Sequence, residues 1–319
     1  GTFCNLNMTT INLSSNLITF LQSGAFKNIT VQNLRLNNNK LTELPSTVFK
    51  NVTVRNLELH YNYIHTIAPQ ALSTIYLESL DLYNNELENI DPEAFNNSEL
   101  KILALGFNQI EFLRPGDLKN LPQLEELSLI NNNLVEVPEG VFNNTKIKNL
   151  NLHYNKITII ETKAFDDMSK LEKLDIAFNN LSLWDNNWLS GSSQLSSFKA
   201  GYNQITEIPD EAFKNYPRLV YLGLQENKIG RVSMKAFHKL EHVVNLDLFS
   251  NEIDSWGPDL LANVSIDRID LSRNKLKCIE GDLDQVFRNV ADYVSLWGNP
   301  WSEECAEKMR EFVKKKMLG

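Results

Sequence analysis

No apolar run in the chain approaches the roughly 20 residues that cross a bilayer, and no basic-then-apolar leader opens it. Positive charge is scarce. Lys and Arg number 31 against 40 Asp and Glu, a formal net charge of −9 over 319 residues. That balance argues against wholesale binding to nucleic acid or to an anionic membrane, so no nucleic-acid partner is expected. No linker or low-complexity stretch interrupts the chain, and a single elongated domain is the expectation. Reactive constellations are missing as well: there is no serine, cysteine or phosphate-loop arrangement. His238 and His242 stand four apart in "HKLEH", without the glutamate of a zinc-protease motif. The chain reads as a non-enzyme, with no cofactor and no metal site expected.

What the chain does have is repetition. "NLELHYNYI" at 56–64 returns as "NLNLHYNKI" at 149–157, with seven of nine letters the same. The shared frame L-x-L-x-x-N-x-L places asparagines at 16, 39, 62, 85, 108, 132, 155, 179, 203, 227, 251, 274 and 299, at intervals of 23 to 25 residues. In each unit the two leucines, such as Leu57 and Leu59, alternate along a short strand and face one side. The asparagine turns inward, where its amide can pair with backbone groups left open by a bend. A phenylalanine often follows on the outer arc, as at Phe26, Phe49, Phe142, Phe165, Phe213 and Phe237, so that stacked units form a spine of rings. No unit buries its own apolar face, but a stack does.

This pattern resembles the leucine-rich repeat. The fold class it implies is an α/β solenoid, a leucine-rich repeat horseshoe with a parallel concave β-sheet of about 13 repeats. The expected organisation is the end of an N-terminal cap over 1–10, a solenoid over 11–301 and a capping helix over 302–319. In the eighth repeat, "LWDNNWLSGSSQ" replaces the usual outer arc, and Trp184 and Trp188 either plug the spine or form an exposed patch.

The end of the chain, "SLWGNPWSEEC", resembles the disulfide-bonded cap N-P-W-x-C-x-C of animal extracellular repeat proteins, with Glu303 in the place of the first cysteine. Cys278 lies four residues after Asn274, as Glu303 lies four after Asn299, so Cys278 holds the missing cysteine's phase one coil earlier. Coils about 5 Å apart allow a Cys278–Cys305 bond; two free buried thiols are the alternative. Cys4 is left over, and a residue upstream of Gly1 or another chain is its expected disulfide partner.

The repeats, the cap and the N-x-S/T triplets together resemble the extracellular typical-type family that includes Toll-like receptor ectodomains and adhesion proteins. "NKLKC", "FRNVADYV" and Cys305 resemble more narrowly the repeat domain of mosquito haemolymph proteins that control a complement-like thioester protein. The resemblance implies a secreted or cell-surface module, in innate immunity or adhesion, that binds a protein on its concave face. A microbial glycan or glycolipid is the alternative partner, as in secreted insect repeat proteins that bind bacterial glycolipid.

On that face, the position before each ladder asparagine holds aromatics at Tyr61, Phe107, Tyr154, Phe178 and Tyr202, and the neighbouring column holds His60, Tyr83, Ile130, His153 and Phe249. Aromatics concentrate at interface hot spots. Tyr61, Tyr83, Phe107, Ile130, Tyr154, Phe178 and Tyr202 are therefore the candidate ligand-binding residues. Rings in this place can equally stack on the next coil and cover the asparagines. His60 and His153 share a phase but lie about 19 Å apart by strand spacing, too far for one metal. Five sequons, at Asn28, Asn51, Asn96, Asn143 and Asn263, fall 11 or 12 residues before a ladder asparagine and so share one flank. They are the expected glycosylation sites, and bulky sugars would keep that flank in solvent.

Overall fold

The computed structural model describes residues 3–95 and 99–318. The chain divides into two compact units, Gly1–Met168 and Ser169–Gly319.

The first unit is a parallel solenoid. Strands Phe26–Arg35, Phe49–Glu58, Ser79–Asp81, Ile102–Ala104, Glu126–Ser128 and Asn149–Asn151 pair side by side, each with the coil before it. Leu57 lies against Leu80, then Leu80 against Leu103, so identical repeat positions stack. The first two full strands are ten residues long because "FKNITVQNLR" and "FKNVTVRNLE" place β-branched residues in alternation: Ile29 and Val31 point inward with Phe26 and Leu34. The later coils of this unit lack that run and keep three-residue strands. Phe26 stacks on Phe49, and Phe142 on Phe165, with centroids 5.7 and 5.6 Å apart.

The second unit repeats the plan over Lys173–Asp175, Ser197–Lys199, Tyr221–Gly223, His242–Asp247, Ser265–Asp270 and Val290–Ser295. Trp184 fills the spine: its ring lies 5.2 Å from Phe213 and 5.8 Å from the buried Trp188. The helix Glu303–Leu318 closes the end, with Met309 and Phe312 buried and Phe312 stacked on Phe287 at 5.5 Å. A disulfide joins Cys278 to Cys305 with their Cα atoms 5.5 Å apart. The half-buried Cys4 belongs to the short strand Phe3–Cys4, which pairs with Phe26–Lys27.

One side-chain device holds the coils in register. Asn62 Nδ2 donates to the carbonyls of Leu59 at 2.9 Å and of Leu36, one coil back, at 3.1 Å, while its Oδ1 accepts from Leu41 N at 3.0 Å. Asn203 in the second unit does the same with Ala200, Ile176 and Leu181. Each amide thus satisfies three buried backbone groups that the bend withdraws from the sheet.

Candidate ligand-binding face

The residue before each ladder asparagine is left-handed. Its φ is 54° at Asn38, Tyr61, Asn84, Asn131, Tyr154 and Phe178, 55° at Phe107 and 56° at Tyr202. The turn has this form because the residue's N–H must reach the next coil: Tyr61 N donates to Tyr83 O at 3.0 Å and Phe107 N to Ile130 O at 2.8 Å. Asparagine and glycine accept such a φ readily, whereas a bulky ring does so against a steric cost. Asn38, Asn84 and Asn131 are therefore what the backbone prefers, and the aromatics in the same column are not. Their rings project off the sheet. Tyr61 is 47%, Phe107 38%, Tyr154 48% and Tyr202 41% exposed, while Phe178 is half-buried.

In the first unit the face is continuous from Tyr61 to Phe107. Tyr61 meets Tyr83 edge-on at 6.0 Å, and Tyr83 meets Phe107 at 4.8 Å. Gly106 makes the last contact possible, since a Cβ there would lie 2.5 Å from the Ile130 methyl and 3.1 Å from the Tyr83 ring. Tyr83 and Ile130 are half-buried and form the floor between the exposed rings. His60 Nδ1 lies 2.8 Å from the Asp81 carboxylate, and the other Asp81 oxygen accepts from Tyr83 N at 3.0 Å. Burial, followed by the nearby Tyr61 and Asp81, pushes the Tyr83 phenol up, so it stays a hydrogen-bond donor at neutral pH.

In the second unit Phe178 and Tyr202 stack with centroids 3.9 Å apart, so these two rings both cover the backbone and present a surface. Other residues here escaped the repeat frame. Trp297 is 53% exposed, and the Arg273 guanidinium lies 4.9 Å from its centroid and 5.4 Å from that of Phe249. The frame assigns Gly298 to the turn position, which hides the tryptophan one residue earlier; its signal was the W in "SLWGNPW". The scattered acids of the face also have a role that spacing alone did not reveal. Asp175, Asp247 and Asp270 each accept the N–H two residues on, at 3.1, 3.0 and 2.8 Å, and so cap the strand end.

Of the sequon asparagines, Asn28, Asn51, Asn143 and Asn263 are exposed, and Asn96 lies outside the described residues. Asn28 and Asn51 form a second amide ladder: Asn28 Nδ2 donates to Asn5 Oδ1 at 3.1 Å and Asn51 Nδ2 to Asn28 Oδ1 at 3.0 Å.

Residues 29–82, 75–134, 122–181, 145–205 and 193–253 match the family model described as leucine rich repeat, which covers well over half of the chain. The chain belongs to the leucine-rich repeat family. It is 32% identical over 83 residues to mouse leucine-rich repeat-containing G-protein coupled receptor 4, a match spanning 26% of this chain and 9% of that protein. It is 30% identical over 112 residues to mouse leucine-rich repeats and immunoglobulin-like domains protein 2, covering 35% of this chain and 10% of that protein. These two matches span about a tenth of each relative's length. Among solved structures, a Leptospira interrogans leucine-rich repeat protein superposes with a TM-score of 0.74 at 23% identity, over 96% of this chain and 82% of that one. The Drosophila Toll–Spätzle complex matches with a TM-score of 0.69 at 20% identity, over 92% of this chain and 48% of that one. These two likenesses show the fold. No described helix is long and apolar enough to cross a membrane.

Proposed function

We propose that the chain is a secreted or cell-surface recognition module that binds a protein partner through Tyr61, Tyr83, Phe107, Ile130 and Tyr154 in the first unit and through Phe178 and Tyr202 in the second. The observation that carries this reading is conformational. Tyr61, Phe107, Tyr154 and Tyr202 occupy a left-handed position where asparagine is the cheaper choice, and they leave much of each ring exposed. A ring kept against a backbone cost and not buried in return has its use outside the fold. Tyrosine and phenylalanine next to a half-buried floor are the composition of an interface centre.

The solvent-facing sequons Asn28, Asn51, Asn143 and Asn263 support an extracellular setting, and their shared phase sets their glycans apart from the ring column. The Toll ectodomain, which shares this fold, is known in complex with the protein Spätzle in development and innate immunity. A role of the same kind, in innate immunity or adhesion, is the reading we favour. The test is a pull-down from extracellular fluid of the source organism with the whole chain as bait, beside a bait carrying Tyr61→Asn, Phe107→Asn and Tyr154→Asn. One specific protein should be captured by the first and lost by the second. Capture of the same protein by both would place the interface elsewhere.

A further inference from the structure

The second unit carries a notch in its sheet face, separate from the ring column of the first. It is a cavity of about 560 Å³ lined by Lys173, Lys199, Tyr221, Gln225, Asn245 and Asp247 over a floor at Gly223. Glycine creates it. A Cβ on Gly223 would lie 3.0 Å from Gln225 Oε1, and one on Gly201 would lie 2.6 Å from the Gln225 carboxamide carbon. The Gln225 side chain therefore lies across the two glycines, and its buried Oε1 has no donor among the described residues.

The walls differ in charge. In register, Gly223 separates Lys199 from Asp247, which puts one strand spacing of about 5 Å on either side of the floor. Lys199 sits 3.7 Å from Asp175, whereas Lys173 makes no ion pair among the described residues. Opposite, one Asp247 oxygen accepts from Phe249 N, and the carboxyl is pushed up by burial and by the neighbouring Asp270. Tyr221 stands at the rim with half of its surface exposed.

We propose that this notch is a carbohydrate site, and that it takes a pyranose bearing a carboxylate, a sugar of the uronic-acid type. The lysines meet the carboxylate. The amides of Gln225 and Asn245 and the Asp247 carboxyl meet ring hydroxyls, and the Tyr221 ring lies along the apolar face of the sugar. A single Asp or Glu side chain of a protein partner would engage the lysines but leave Gln225, Asn245 and Asp247 without partners. A sugar, with hydroxyls around its whole edge, satisfies both walls. The site does not depend on the ring column for its chemistry, and the two fail separately.

The test uses the whole chain with an oligosaccharide of glucuronic acid as probe and the matching glucose oligosaccharide as control, read by saturation-transfer NMR and calorimetry. The acidic sugar should bind at least about tenfold more tightly than the neutral one, with a Kd of roughly 1 mM or below. Gly223→Leu fills the notch at a φ outside the left-handed region, so it should leave the fold intact and abolish binding. Lys173→Glu with Lys199→Glu should erase the preference for the acidic sugar, and the melting temperature of every variant is measured alongside. Equal binding of the two sugars, unchanged binding by Gly223→Leu, or no saturable binding by roughly 10 mM would each overturn the proposal. So would an acidic peptide that competes as well as the sugar does.

Discussion

Changing Tyr61, Phe107 and Tyr154 together to asparagine separates the two explanations of the ring column. If the rings serve a partner, the fold barely notices their loss. Each site sheds a left-handed aromatic, which releases roughly 1 kcal/mol of steric cost. Each also gives up a ring contact, such as Tyr83 with Phe107 at 4.8 Å or His153 with Tyr154 at 4.6 Å, a loss of about 0.5–1.5 kcal/mol. The sum over three sites is within about 2 kcal/mol of zero. If the rings are instead part of the core cover, truncation costs about 3 kcal/mol or more per site, and the total of about 10 rivals the whole stability of a domain. Urea titration followed by circular dichroism resolves the two cases easily. Partner capture should meanwhile fall by well over tenfold, since central aromatic contacts carry about 2 kcal/mol or more each. A triple variant that unfolds, or that folds as well as the parent and still binds, would refute the reasoning from opposite sides.

Asn132→Ala strands the buried Ile110 N–H, which now donates to Asn132 Oδ1 at 3.0 Å, and takes one of two amide donors from the Leu105 and Leu129 carbonyls, which keep Asn108 and Asn155; it should cost about 2 kcal/mol or more in urea titration, against under about 1 kcal/mol for the exposed Asn16→Ala. Cys278→Ser opens a bond between residues 27 apart and should cost about 3 kcal/mol, read as lost hydrogen-exchange protection around Met309 and Phe312. Asp247 has its carboxyl raised by burial and by Asp270, so the folded state holds that proton more tightly than the unfolded one. Its contribution to stability therefore declines as pH rises from about 4 through the folded pKa. Asp247→Asn should flatten that part of the melting-temperature profile and raise stability at neutral pH, because an asparagine serves the same strand cap at Asn151, whose Oδ1 accepts from His153 N at 3.0 Å. In protein made through a secretory route, peptide mapping should find glycans on at least three of Asn28, Asn51, Asn96, Asn143 and Asn263, and enzymatic trimming should leave partner binding unchanged.

The repeat was readable because its signals are local and periodic. A leucine pair marks a strand, an asparagine marks a bend, and an interval of 23 to 25 residues is the coil. Phase extends to positions between coils, which is how Cys278 and Cys305 could be set beside each other without any contact in view. Backbone conformation is less legible. Nothing in the letters of Tyr61 or Phe107 announces a φ near 54°, because the residues usually found there, such as Asn38 and Asn84, simply give way to rings. Consequences of a missing side chain are equally hard to read: at Gly106 the space is taken by Ile130 from the next coil, and at Gly223 by Gln225 of the same coil. The ten-residue strands of the first coils depend on four inward positions at once, Phe26, Ile29, Val31 and Leu34, and a frame built on the leucine pair alone stops short of them.

The division of labour within one coil explains why the fold is so much easier to read than the ligand. Interior demands are met by a few fixed residue types: aliphatic side chains fill the core, and a buried ladder asparagine such as Asn62 or Asn203 satisfies three backbone groups. Acids such as Asp81, Asp175 and Asp247 then cap the strand end. Once those positions are set, the turn position and the column beside it are free of structural duty except for a preference for asparagine or glycine. Departures from that preference are therefore the informative letters. Tyr61, Phe107, Tyr154, Phe178 and Tyr202 depart toward large rings, while Gly106 and Gly201 in the neighbouring column and Gly223 on the strand itself carry no side chain at all. The first set raises the surface and the second lowers it. A partner that fits the first unit must match its rings, and a relative with the same period but asparagine throughout the turn column should keep the fold and not the partner.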